Sequence, residues 1–302
     1  MDGETRAIMT GQDWLAARFD EHRAHLRSVA YRMLGSLHEA DDAVQESWLR
    51  FSSADTSDVA NLRGWLTTVT GRVCLDMLRS RGTRRERSLD VHVPDPIVSP
   101  ADGVDPEREA LLAESVGLAL HVVLGTLTPA ERLAFVLHDM FAVPFDDIAA
   151  MLGRSTAATK QLASRARGRI RAGGPLPEAD LAQQHEAVRA FFEAARGGDF
   201  DALVALLAPD VEMRSDGGAA RPRASAVLRG AASVAGRALM FARPDAEVHP
   251  ALVNGAAGVV VTVGGRAVSI MGFTVRDRLI VAVDVLADVD RLGRFELSAF
   301  ER

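Results

Sequence analysis

Apolar residues recur every three or four positions through most of the first 171 residues, the interval that lines up one face of an α-helix. In Trp14–Leu34 the stripe is Leu15, Phe19, Leu26, Ala30, Met33 and Leu34. In Leu37–Phe51 it is Ala40, Ala43, Val44, Trp48 and Leu49, and in Leu62–Leu78 it is Trp65, Leu66, Val69, Val73, Leu75 and Leu78. From Gly82 to Asp105 the pattern lapses into a Pro-, Asp- and Ser-rich stretch, read as a linker or an extended ordered segment. Helical spacing returns over Glu109–Arg171 and ends at the Gly- and Pro-punctuated Ala172–Asp180. Beyond it, Leu181–Leu207 is helical with a break at Gly197 and Gly198, and then short β-prone runs follow one another at turn-like separations, which favours an antiparallel sheet. These breaks predict a helical domain over 11–81, a linker over 82–108, a second helical domain over 109–172 and an α+β domain over 181–302.

The end of the second helical block reads as a helix-turn-helix. Ile148 and Leu152 lie one turn apart on a short helix opened by Asp146 and Asp147, Gly153 supplies a C-cap, and Ser155 is an N-cap for the next helix. On that helix Thr159, Leu162, Ala163, Ala166 and Ile170 form the inward stripe. Ala157, Lys160, Gln161, Ser164, Arg167 and Arg171 are left facing outward, a mixture of small residues, amide and hydroxyl groups and long cations suited to a DNA major groove. A solvated charged face on an ordinary bundle would carry the same pattern.

Charge strengthens the nucleic-acid reading. The chain of 302 residues carries a net charge of −6, yet Arg154–Arg171 holds Arg154, Lys160, Arg165, Arg167, Arg169 and Arg171 with no acid among them, a local footprint for phosphate. Cys74, the sole cysteine, lies in an apolar helical pattern and reads as a buried hydrophobe in a reducing cytoplasm. His22 and His25, one turn apart, lack a third ligand and read as exposed helix residues rather than a metal site. No signal-peptide pattern and no apolar run of membrane-spanning length is present, so the expectation is a cytoplasmic protein away from the membrane.

Three motifs in order resemble the extracytoplasmic-function sigma factors of bacterial RNA polymerase. Glu39–Phe51 (EADDAVQESWLRF) is similar to that family's region 2 helix, Asn61–Arg81 to the helix that follows it, and Leu127–Ser155 to the entry of region 4. The resemblance implies that Asp41, Asp42, Gln45 and Glu46 bind core RNA polymerase at the clamp helices of its largest subunit. It implies that Asn61, Arg63, Arg72 and Arg79 engage and open the −10 element of promoter DNA, and that Ser155, Lys160, Gln161, Ser164, Arg165 and Arg167 read the −35 element. Trp65 could stack on an unpaired base, but its spacing with Leu66, Val69 and Val73 favours the core.

The tail resembles a SnoaL-like domain of the NTF2-like superfamily, most plainly in Ala190–Gly218. The fold implied for the whole is two all-α domains followed by an α+β domain with a curved sheet around a pocket. In the subgroup of sigma factors with this extension, the tail regulates sigma activity in cis. Two of that subgroup's motifs survive in part, as Pro94, Asp95 and Pro96 in the linker and Asp216, Gly217 and Gly218 in the tail, which implies a linker-to-tail contact; a third survives as Asp288–Leu292. A small-molecule ligand in the pocket is left open.

Two other functions compete with a sigma factor that needs no cofactor, metal or catalytic residue of its own. A ligand-sensing helix-turn-helix regulator would leave Glu39–Arg81 without a role. A DNA-tethered SnoaL-like enzyme would draw on Asp210, Glu212, His249 and Asp284, at least two of which would have to converge in a dry cavity. Otherwise Asp210 caps a turn after Pro209 and His249 ends a strand.

Overall fold

Gly35, at φ 71°, turns the chain at the end of the first helix, and the Ser36 hydroxyl then accepts from the Glu39 amide to open the second. The computed structural model describes residues 11–55, 59–82, 91–101, 118–173 and 180–301. It places α1 at Gly11–Leu34, α2 at Leu37–Ser53 and α3 at Leu62–Gly82, the last opened by the Asn61 side chain, whose Oδ1 accepts from the Gly64 amide at 3.0 Å. The three pack around Phe19, Leu26, Val44, Phe51 and Leu66, with Trp48 and Trp65 half-buried at the edge of this core. Trp65 lies 6.0 Å from Phe51, ring to ring, so it is a packing residue.

Helix α4, Leu118–Thr126, is apolar around most of its circumference and is buried from Leu118 to Leu124, His121 included. Thr128 and Glu131 form a reciprocal capping box for α5, Pro129–Phe135, which runs into a π-helical turn over Val136–Met140. Helix α6, Phe145–Leu152, ends at Gly153 with φ 62°; α7, Thr156–Gly173, begins after Ser155, whose hydroxyl accepts from the Ala158 amide at 3.2 Å.

The tail begins with α8, Leu181–Gly197, and α9, Phe200–Leu206, capped by Asp180 and Asp199. Strands β2 (Leu207–Asp216) and β3 (Ala226–Arg229), helix α10 (Ala231–Phe241), strands β4 (Ala246–Val253), β5 (Ala256–Val263), β6 (Arg266–Arg276) and β7 (Leu279–Leu286), and the short α11 (Val289–Leu292) complete it. With Val98–Pro100 of the linker as β1, the sheet has seven strands among the described residues, in the order β1-β4-β5-β6-β7-β2-β3. The consecutive strands β4 to β7 pair antiparallel as expected, but β2 lies parallel to β7, so the sheet is mixed. The helical segment α8–α9 and the excursion through β3 and α10 let β2 enter beside β7 in the same direction.

One strand comes from outside the tail. Val98–Pro100, in the linker, forms β1 and pairs antiparallel with β4. The sheet is therefore buried on both faces. On one lie Phe191, Leu203, Met213, Val259, Phe273 and Val283, under α8, α9 and α10. On the other lie Val93 and Val98 of the linker, Leu118 of α4, Val253, Ile270 and Phe300.

Two compact units result, and they depart from the expected boundaries. Helices α1–α3 join α5, α6 and α7 as far as Arg167; the linker residues 91–101, α4 and the chain from Gly168 belong with the tail. The expected helical domain over 109–172 is thus divided between them. A helix apolar around most of its circumference needs cover on several sides, and the tail sheet supplies some of it: a Cβ on Gly272 of β6 would come within 3.0 Å of Leu118. Among the described residues no helix is long and apolar enough to cross a membrane.

Candidate functional site

Helix α7 sorts its residues as its spacing predicts. Thr159, Leu162, Ala163 and Ala166 are buried and Ile170 half-buried, whereas Ser155, Ala157, Lys160, Gln161, Ser164 and Arg165 are exposed on the other side. Arg167 departs from the expected open face. Its guanidinium makes a two-pronged ion pair with Asp139, at 2.7 and 3.2 Å, because the π-helical turn brings that carboxylate alongside α7. Arg167 would therefore have to exchange Asp139 for a phosphate before it could touch DNA.

On α2, Asp41, Asp42, Gln45 and Glu46 are all exposed. Asp41 pairs with Arg27 at 2.6 Å and Glu46 with Arg50 at 3.0 Å. Leu49, expected in the packed stripe, is 55% exposed. Its spacing from Asp42, Gln45 and Glu46 is seven, four and three residues, so it extends their stripe along the outer face.

The residues expected at the −10 element divide. Asn61 is exposed but serves as the cap of α3, and Arg72 and Arg79 project from the exposed side of that helix, Arg79 lying 3.9 Å from Asp76. Arg63 is exposed as well, but its guanidinium is engaged, with Nη2 3.0 Å from Nδ1 of His25. His25 also contacts the Thr67 hydroxyl at 3.0 Å and meets the Phe141 ring edge-on at 5.2 Å. The expectation of two exposed histidines fails, since His22 and His25 are both half-buried and His25 sits in a polar seam. Cys74 is fully buried, and burial pushes its thiol well above the usual range.

That seam joins α5 and its π-helical turn to α1 and α3. Arg132 donates from Nη1 to the Met33 carbonyl at 2.9 Å, the Arg32 guanidinium lies 4.9 Å over Phe141, and Gly71 of α3 faces Leu137 so closely that a Cβ would come within 2.9 Å of it. The lost side chain at Gly71 is what lets these helices approach.

The linker and tail meet through a charged clamp. Arg291 of α11 donates from Nη1 to Asp216 at 2.9 Å, from Nε to Asp95 at 2.8 Å and from Nη2 to the Val93 carbonyl at 2.7 Å, with a further Nη2 contact to Asp95. The same Asp216 oxygen accepts from the Val93 amide at 3.2 Å and pairs with His92 at 3.2 Å. Burial opposes ionisation of Asp216, but the His92 hydrogen bond, the Gly218 amide and the Arg291 charge outweigh it and hold the carboxyl below its ordinary value. Further along, Asn254 and Ile97 exchange two hydrogen bonds, at 3.0 and 2.8 Å. Pro94 and Pro96 flank Asp95 in this extended run, where their fixed φ suits a chain that must lie flat.

The two glycines after Asp216 are required by space. A Cβ on Gly217 would lie 2.2 Å from the Arg221 carbonyl; one on Gly218, at φ 64°, would lie 2.2 Å from the Asp288 carboxylate. Sequence reasoning had Asp95, Asp216 and both glycines, and it had Arg291 only as part of the Asp288–Leu292 motif with no role of its own; it gave no role to His92 or Asn254. The signal for Arg291 was present in Asp288–Leu292, where it stands as the one base in an acidic run before a buried leucine. Asn254 is marked only by its place before Gly255 in a hairpin turn, where it adopts φ 51°.

The tail also encloses a cavity of about 330 Å³, walled by residues such as Phe191, Met213, Val261, Met271 and Val285. Strand β2 turns Met213 and Ser215 toward it. The acidic residues of that strand do not point in. Glu212 faces the opposite side of the sheet, bonded to Arg214 at 2.6 Å and Arg229 at 2.9 Å, and Asp284 lies beside Arg214 at 3.6 Å. Burial raises the Asp284 carboxyl to about 6 against the opposing pull of Arg214. Asp210 lies in an irregular, exposed stretch of β2 rather than a turn. His249 sits inside β4, not at a strand end, and contacts Thr262 at 2.9 Å. None of the four acid/base candidates lines this cavity; Asp210, Glu212 and Asp284 instead line a second cavity of about 770 Å³, together with Arg214, Arg229 and Arg276, and His249 lies apart from both.

Comparison with known proteins gives a consistent picture. The Sigma-70 region 2 family matches residues 18–84 and the Sigma-70 region 4 family residues 117–170. The chain is 41% identical over 288 residues to the ECF RNA polymerase sigma factor SigJ of Mycobacterium tuberculosis, covering 91% of this chain and 92% of that protein. It is also 41% identical over 206 residues to the probable ECF RNA polymerase sigma factor SigI of that species, 67% of this chain and 70% of the relative. The crystal structure of M. tuberculosis SigJ superposes with a TM-score of 0.70 at 35% identity, over 92% of this chain and 98% of that one.

Proposed function

The chain belongs to the extracytoplasmic-function sigma factors, and from that premise we propose that it directs core RNA polymerase to a promoter, with its tail governing the act through the linker. The observation that carries this reading is the sorting of α7, which leaves Lys160, Gln161, Ser164 and Arg165 exposed on a rigid helix whose other side is buried. Such a face can enter the −35 major groove as it stands. The stripe Asp42, Gln45, Glu46 and Leu49 offers core polymerase acids around one apolar contact, a pattern suited to a basic helical partner. Arg72 and Arg79 are available to single-strand phosphates at the −10 element.

The clamp supports regulation in cis. Because the tail holds residues 92–100 through strand β1 and the Arg291 contacts to Asp95, Asp216 and the Val93 carbonyl, it is placed to restrain the segment that joins α3 to α5. The −10 and −35 elements lie roughly two helical turns apart on DNA, on the order of 70 Å. The seam centred on Arg132 holds α5 against α1 and α3, an arrangement that cannot span such a distance, so activity requires that seam to open. Tail and linker set how readily it does so. None of the acid/base candidates lines the apolar cavity, which supports a binding role for that cavity.

Transcription reconstituted from core polymerase and promoter DNA tests the reading. Full-length chain should support promoter-dependent initiation, and reversing charge at Asp42 and Glu46 should abolish co-purification with core polymerase while helicity is kept. Undiminished co-purification rejects the docking face; absence of promoter-dependent transcripts under every condition rejects the sigma function.

A further inference from the structure

We propose that the tail cavity binds an amphipathic carboxylate, its apolar chain seated against Phe191, Met213 and Met271 and its anionic head at the mouth between Arg221 and Arg237. The cavity's about 330 Å³ falls in the range that holds a small molecule. Its depth is lined by Phe, Met, Val and Ala, and Ser215 and Ser269 are the hydroxyls there. Methionines at positions 213 and 271 adapt to a flexible chain better than branched side chains do.

The mouth differs from the depth. Arg196, Arg221, Arg237 and Arg243 all contribute to the lining, and no Asp, Glu or His does. Arg243 is neutralised by Asp245, at 2.6 and 2.9 Å. Arg237 is fixed by neutral partners instead: its Nη2 donates to the Arg223 and Ala224 carbonyls at 3.3 and 2.9 Å, and its guanidinium lies 4.2 Å over the Phe241 ring. Its charge is oriented without being cancelled. Among the described residues no carboxylate pairs with Arg221 or Arg237.

Uncancelled cations at the rim of a low-dielectric cavity attract anions and disfavour cations, and a guanidinium pair matches a carboxylate in shape as well as charge. A wholly apolar ligand would leave those charges unused, and a highly polar one would strip its own hydration against the apolar wall. A medium-chain fatty acid meets both demands. The inference goes beyond promoter recognition and does not depend on it.

Decanoate, decanol and decyltrimethylammonium titrated calorimetrically into the full chain are the test. Decanoate should bind at least about tenfold tighter than decanol, equivalent to 1.4 kcal/mol, with the cation weakest. Ala238→Trp, which fills the cavity, should remove binding of both decanoate and decanol. Arg221→Gln should lower decanoate affinity toward that of decanol while leaving decanol unchanged. The thermal midpoint of each variant establishes that it is folded. Decanoate binding that survives Ala238→Trp in a folded chain overturns the site; equal affinity for the three ligands, or no decanoate binding, overturns the ligand class.

Discussion

The Arg132 guanidinium reaches the main-chain carbonyl of Met33 at 2.9 Å, and both residues are buried. One hydrogen bond from a charged donor therefore ties the first turn of α5 to the end of α1. Replacing Arg132 by Ala removes the donor and leaves a buried carbonyl to find water, at a cost of about 1 to 3 kcal/mol. The expected result is a lower unfolding midpoint with faster hydrogen exchange in α3 and α5 together, and higher transcription at limiting sigma because the helices separate more readily. Unchanged exchange in both helices would mean that the apolar contact of Gly71 with Leu137 carries the seam alone.

Promoter reading should depend on α7 residue by residue. Lys160→Ala or Ser164→Ala should cost about 1 to 3 kcal/mol if the side chain reads a base, with sequence preference relaxed at one position, whereas loss of a phosphate contact weakens all sequences equally. Arg167→Ala should cost less, since this side chain must first leave Asp139. Binding to a −35 duplex, measured over a library of single-base changes, separates these outcomes. Wild-type affinity and preference in the Lys160 and Ser164 variants would move the reading face elsewhere.

Much of this organisation was legible from residue spacing. The inward stripe of α7 and the caps at Gly153 and Ser155 follow local rules that the tertiary structure does not override. What was hidden depends on partners distant in sequence. Leu49 matches the helical stripe yet faces outward, because a 3.6-residue period fixes which residues share a face but not how wide the buried arc is. Glu212 and Met213 alternate in a strand, and which one meets the cavity is decided by the face that α8 and α10 cover. Arg291 lies 75 residues from Asp216 and 196 from Asp95, so only the fold could bring them together.

The clamp gives a prediction about acid. Asp216 is ionised and held below its ordinary value, so the stability it contributes is complete above the ordinary carboxylate range and is lost as pH falls through its folded value. At neutral pH the clamp is closed. Arg291→Ala leaves Asp95 and Asp216 without their shared cation and should cost roughly 2 to 3 kcal/mol, releasing residues 92–100 to protease. Asp216→Asn should weaken the clamp less, since an amide oxygen can still accept from Val93. Limited proteolysis of the linker and promoter output at equal abundance should change in parallel. If Arg291→Ala alters neither, the tail does not act through the linker.

A second carboxylate works in the opposite direction. Asp284 is buried on β7 next to Arg214, with Glu212 across the same arginine, and its folded value of about 6 lies above its ordinary one. The folded chain therefore binds this proton more tightly than the unfolded chain does. The penalty for holding a buried carboxylate is present in full above about pH 6 and is relieved as pH falls from there toward the ordinary carboxylate range. A shift of this size corresponds to at most about 3 kcal/mol, since one pKa unit is worth about 1.4 kcal/mol. Asp284→Asn keeps the shape and removes the titration. The variant should be more stable than the natural chain at pH 7.5, and the difference should shrink as pH is lowered toward 5. Urea unfolding at several pH values measures this directly. A variant less stable than the natural chain at pH 7.5 would show that the ion pair with Arg214 outweighs the cost of burial, and that Asp284 is held charged in the folded tail.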